Sequence, residues 1–79
     1  MIKVISVKPL NNYYLELCFN NNEVRRFDVK PYLDKGIFTE LKNEDYFMQV
    51  AIQFDSIAWK NGQDFSPETL YQRSVATIR

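Results

Sequence analysis

The chain has 79 residues, with ten basic side chains balancing ten acidic ones, and it carries six Phe, five Tyr and one Trp. At this length a domain buries only about 60% of the surface its unfolded form exposes. Its stability must therefore come from dense packing of rings that each bury on the order of 150–250 Å², and so many rings exclude a disordered tail. Neither sign of charge gathers into a run of five or more, which argues against nucleic-acid binding by this domain alone.

Cys18 is the single cysteine, so no internal disulfide framework exists. The opening MIKVISV has too short an apolar run and no small-residue cleavage site for a signal peptide. No stretch approaches the roughly 18 apolar residues of a membrane span, so a cytoplasmic protein with no membrane partner is expected. Near-zero net charge does little to keep copies apart, and a homodimer is a candidate assembly. No repeat, low-complexity segment or Gly/Ser linker divides the chain, which reads as one α+β domain over residues 1–79.

In chain order, Ile2 to Lys8 is rich in β-branched residues and is closed by Pro9 with Asn11 and Asn12, a strand followed by a turn. Tyr13 to Phe19 alternates, with Tyr13, Leu15, Leu17 and Phe19 on one face and Tyr14, Glu16 and Cys18 on the other. Asn20, Asn21 and Asn22 make the next turn, because Asn tolerates positive φ. A two-residue loop would set Leu17 against Arg26 and Glu16 against Phe27. A three-residue loop with Asn22 left-handed instead sets Leu15 against Phe27, Tyr13 against Val29 and Glu16 against Arg26. That register is the better one, although Arg25 then faces Leu17 and must snorkel out along the apolar face.

Pro31 and Gly36 bracket YLDK, which has room for a single helical turn, and Asn43 followed by Glu44 and Asp45 reads as the N-cap of a brief helix. That helix presents Tyr46, Phe47 and Val50 inward, and strand alternation follows with Val50, Ile52 and Phe54 on one face. A two-residue link at Asp55 and Ser56 would set Phe54 against Ile57 and Ile52 against Trp59, a second hairpin with Trp59 in the core. Asn61 and Gly62 are the strongest turn dipeptide in the chain. Ser66 as N-cap, Pro67 at the first helical position and Glu68 then open a C-terminal helix to about Ser74, resting on the sheet by a narrow stripe of Leu70 and Tyr71 with Val75 further on. The fold expected is an antiparallel sheet of two hairpin or meander units, short connecting helices and a C-terminal helix packed on the sheet.

The run WKNGQDFSPETLY at 59 to 71, FDVKPYL at 27 to 33, and the spacing of Phe38, Leu41, Phe47 and Val50 resemble the bacterial domain-of-unknown-function family numbered 2442 over nearly the whole chain. Members of that family often have Asp-Gly where Asn21 and Asn22 stand and an apolar residue at the place of Arg26. Neither departure touches the fold, since Asn suits a left-handed position and Arg26 lies away from Leu15. The resemblance implies a compact α+β domain, found alone or ahead of a helix-turn-helix, often encoded beside another small protein as toxin and antitoxin are. It implies no known chemistry, and no fused DNA-binding segment is expected within a chain ending at Arg79.

The residues themselves point the same way. With no histidine, the commonest base beside a nucleophile is missing. Cys18 would be reactive only beside Arg25 or Arg26, and a lone cysteine in an alternating strand reads as a small apolar residue. No acidic loop has calcium-site spacing, so no metal, cofactor or catalytic residue is assigned. Asp64, between the Asn61–Gly62 turn and the helix start, reads as a local acceptor for backbone N–H groups, with a binding role as the alternative. Tyr14, Val24 and Cys18 leave the second face of the hairpin only partly polar, which points to either a second layer or a surface for a partner that Arg26 could reach, unless Arg26 simply pairs with Glu16. The function expected is a non-enzymatic protein-interaction or regulatory, antitoxin-like module whose partner is encoded nearby. The alternative is a small enzyme or ligand-binding domain using Asp64.

Overall fold

A computed structural model describes residues 1–77, so the last two positions of the expected domain lie outside the described residues. The first strand, β1, runs Val4–Leu10 and is followed by β2 (Tyr14–Phe19) and β3 (Val24–Asp28). After 3-10 turns over Lys30–Tyr32 and Gly36–Lys42 come a one-turn helix, α1 (Glu44–Phe47), and the strands β4 (Ala51–Gln53), β5 (Ser56–Ala58) and β6 (Asp64–Phe65). The chain then forms helix α2 (Pro67–Arg73) and a last strand, β7 (Val75–Ala76). The strands make two antiparallel sheets, one ordered β1-β2-β3-β7 and the other β4-β5-β6, so each hairpin unit seeds a sheet of its own.

The β2–β3 hairpin has the three-residue loop, with Asn22 at φ 70. Leu15 faces Phe27, Glu16 faces Arg26 and Leu17 faces Arg25. Leu15, Leu17, Phe19 and Phe27 are buried and meet Leu41, Phe47, Ile57, Trp59, Phe65 and Leu70 in one core. Rings carry much of that packing: Phe27 meets Phe65 edge-on at 5.0 Å, and Tyr71 of α2 meets Phe19 edge-on at 5.1 Å. Asn43 caps α1 by accepting the Tyr46 N–H, and Ser66 caps α2 by accepting that of Thr69, with Pro67 at its first position.

Several expectations are corrected. β1 continues through Pro9 to Leu10 rather than ending before it. Odd-numbered residues of β2 bond toward β3, as Phe19 N–H to Glu23 shows, so Pro9, opposite Leu15, turns its nitrogen away from β2. An edge strand tolerates proline there because no ladder bond is lost. The single turn expected in YLDK is displaced to the two 3-10 turns on either side.

The second hairpin turns one residue earlier than expected. Phe54 and Asp55 form its loop at φ 52 and 64, and Ile52 faces Ile57 rather than Trp59. β4 is exposed throughout and Phe54 is 90% exposed, so Val50, Ile52 and Phe54 do not form a buried face. Trp59 is core, but its neighbours are Phe47 and Phe65. Arg25 does not snorkel out. Its side chain, only 16% exposed, donates to the Ser74 hydroxyl and carbonyl at 2.7 Å each, pairs with Glu23 at 2.8 Å and lies over the Tyr71 ring at 4.5 Å. The end of α2 is tied to β3 in this way, and β7 follows directly, so Val75 lies in that strand, 71% exposed, rather than in the apolar stripe of the helix.

Candidate functional site

The side chains of the four-stranded sheet that point away from the core fall in three rungs. Leu10, Tyr14 and Asp28 form the first, Lys8, Glu16, Arg26 and Val75 the second, and Ser6, Cys18 and Val24 the third, beside Thr77. Alternation along β2 and β3 dictates this, since the partners of these residues on the same strands fill the core. Tyr14, Cys18 and Val24 are half-buried by their neighbours, and Val75 is 71% exposed. The third rung and Arg26 line a hollow of about 780 Å³ that is open to solvent.

Charge on this face is arranged around one ring. The Lys30 ammonium lies 3.9 Å from the centre of the Tyr14 ring and the Arg26 guanidinium 5.8 Å from it, both within cation–π reach. Desolvation pulls the Lys30 pKa down, but the Asp28 carboxylate at 3.1 Å and the Tyr14 hydroxyl outweigh it and hold the ammonium above the ordinary lysine value. Glu16 stands between Lys8 and Arg26 in register yet closes an ion pair with neither. Among the described residues, Lys8 and Arg26 therefore have no carboxylate within salt-bridge distance, and the simple Glu16–Arg26 pairing is not formed.

The structure thus brings Tyr14, Val24 and Arg26 onto one surface and places Asp64 elsewhere. Asp64 lies in β6 of the other sheet, opposite Ala58, exposed, and no described residue hydrogen-bonds its carboxylate. The local capping role expected of it is filled by its neighbours. Ser66 caps the helix, and Gln63, 1% exposed, braces the Asn61–Gly62 turn, where Gly62 takes φ 102. The Gln63 amide donates to the Ile37 carbonyl at 2.9 Å and to Glu40 at 3.0 Å while accepting from the Tyr46 hydroxyl at 2.7 Å. Asn61 donates to the other Glu40 oxygen at 2.8 Å, and the Asn61 and Gln63 bonds hold the Glu40 carboxyl below the ordinary glutamate range. Every buried side-chain polar atom among the described residues has a partner.

Sequence reasoning missed Lys8, Lys30 and Val75 as members of the face. Lys30 follows the strand rather than belonging to it, and β7 is two residues long, too short for a period to register. Cys18 is half-buried on the open face with its thiol 3.8 Å from the Phe19 carbonyl oxygen, while the Arg25 guanidinium is committed to Glu23 and Ser74 on the opposite side. No group of three or more metal-ligating side chains occurs among the described residues, nor any helix long and apolar enough to cross a membrane.

These features define a small α+β domain with an uncovered, mixed-charge sheet face. The chain belongs to the family described as Protein of unknown function (DUF2442), whose profile matches residues 4–76. No curated protein and no solved structure matches it.

Proposed function

We propose that this protein is a non-enzymatic interaction module, regulatory or antitoxin-like, that takes an acidic segment of a second protein on the outer face of its four-stranded sheet. The observation that carries the reading is the pair of cations, Lys8 and Arg26, that have no carboxylate partner among the described residues, on either side of Glu16 and next to the half-buried Tyr14, Cys18 and Val24. A face that is partly apolar and leaves charges unpaired suits a polar, reversible interface with an aromatic and an arginine at its centre. A neighbouring gene would supply the partner. The open hollow shelters no reacting group from water, which favours binding over catalysis.

Co-expression with the product of the adjacent reading frame, followed by size-exclusion chromatography, tests the proposal. Co-elution that is lost with Arg26→Glu supports it, and independent elution of the two native proteins counts against it. The alternative, a ligand or substrate site at Asp64, rests on that carboxylate having no structural partner among the described residues. It predicts an activity lost in Asp64→Asn at unchanged melting temperature.

A further inference from the structure

A second surface carries a different inference. The loop of the β4–β5 hairpin holds two consecutive residues at positive φ, Phe54 at 52 and Asp55 at 64, the pattern of a tight turn that ordinarily takes Asn or Gly first. Phenylalanine is poorly suited to that position, and here its ring is also 90% exposed, whereas Phe19, Phe27 and Phe47 are at most 2% exposed. The backbone therefore holds out an aromatic ring at a strained position, and no described residue covers it. Such outliers persist only where the surrounding structure fixes them, and they gather at binding sites.

Beside this ring, on the outer face of the three-stranded sheet, lies a hollow of about 420 Å³ floored by Ser56 and Ala58. Lys60 and Asp64 stand at its rim, both exposed, opposite in sign, and neither paired with any described residue. A projecting ring, a hollow with a small-residue floor, and one charge of each sign on a single face make that face complementary to itself. Under a two-fold axis, contact of residue i with j implies contact of j with i. The chain carries no net charge to oppose the approach of a like molecule.

We infer that a second copy of this chain docks here, the Phe54 ring of each copy entering the hollow of the other and Lys60 of each copy facing Asp64 of the other. This dimer uses the β4-β5-β6 sheet and leaves the Tyr14, Val24 and Arg26 face free.

Sedimentation equilibrium of the full chain tests it. The native protein should show a concentration-dependent monomer–dimer equilibrium. Phe54→Asn, whose side chain suits the left-handed turn, should weaken the dimer more than about tenfold without lowering the monomer's melting temperature. Lys60→Asp and Asp64→Lys should each weaken it by setting like charges face to face, and the double reversal should return it to within about threefold of the native constant. A native chain that stays monomeric to about 1 mM, a Phe54→Asn dimer as tight as the native one, or a double reversal no better than the singles would each overturn the inference.

Discussion

The two hairpins make opposite use of sequence. β2–β3 has long alternating strands, buried Leu15, Leu17, Phe19 and Phe27 on one face, and a turn whose left-handed position is filled by Asn22. Its register follows from its own residues. β4–β5 has three-residue strands, an exposed first strand, and Phe54 and Asp55 at positive φ. Its register is imposed from outside: the Val4 N–H donates to the Asp55 carbonyl at 2.9 Å, Lys3 lies 3.9 Å from the Asp55 carboxylate, and Ser56 donates to the Phe65 carbonyl. Burial of Ile57, Trp59 and Phe65 then outweighs the poor turn. A hairpin can thus be placed against its local preference when enough apolar surface depends on the placement.

The largest effect expected is from Trp59→Ala. Trp59 is buried, packs on Phe47 and Phe65, and donates its indole N–H to the Phe47 carbonyl at 2.9 Å. Truncating a buried ring of this kind costs about 3–5 kcal/mol, most of the stability of a small domain. Urea titration should show the variant only marginally folded in water, with its midpoint moved to low urea. A native-like midpoint would break the claim that the second hairpin depends on the core. Next comes Gln63→Leu, similar in size but apolar, which strands the Ile37 carbonyl and the Tyr46 hydroxyl. It should cost about 2 kcal/mol, read as a lower urea midpoint at unchanged slope.

A smaller pair sharpens the contrast directly. Asn22→Ala should destabilise the first turn by about 1 kcal/mol, because alanine is penalised in the left-handed region. Phe54→Asn should stabilise the second by a similar amount, when measured on dilute, monomeric protein. Opposite signs at two turns of one domain would show that only the second is held against its own preference, and equal signs would remove the distinction.

The same contrast decides what was legible in the sequence. The period of two over Tyr14 to Phe19, the apolar match of Leu15 with Phe27, and the Ser66 and Asn43 caps are local signals that the structure contains, although Tyr13, expected to begin the strand, lies in a 3-10 turn at φ 64. Pro9 misled because a sequence does not show which edge of a strand is bare. Phe54 misled because its ring suggested burial where the backbone needed a turn. At the candidate sites, alternation alone placed Tyr14, Val24 and Arg26 on one face. The structural importance of Gln63 was hidden, since its partners Ile37, Glu40 and Tyr46 are brought to it only by tertiary packing.

The smallest effect concerns pH, and it separates the ties that hold each half. Glu23, at the end of the first hairpin loop, accepts from the Tyr71 hydroxyl and then from Arg25, and these bonds hold its carboxyl below the ordinary glutamate range. Glu40, in the second half, is lowered by Asn61 and Gln63, both neutral amides. A carboxyl with a depressed folded pKa contributes stability above its unfolded pKa, about 4.3 for glutamate. That contribution disappears as pH falls through the lower folded value. Melting temperatures of native protein and Glu23→Gln should therefore differ most near pH 6 and converge as pH falls below about 4.3; a gap constant with pH would show that the charge of Glu23 is not what ties β3 to α2. Salt then divides the two carboxylates, because it screens even a half-buried guanidinium–carboxylate pair more than a hydrogen bond from a neutral amide. Raising ionic strength should narrow the gap for Glu23→Gln at neutral pH and leave that for Glu40→Gln nearly unchanged.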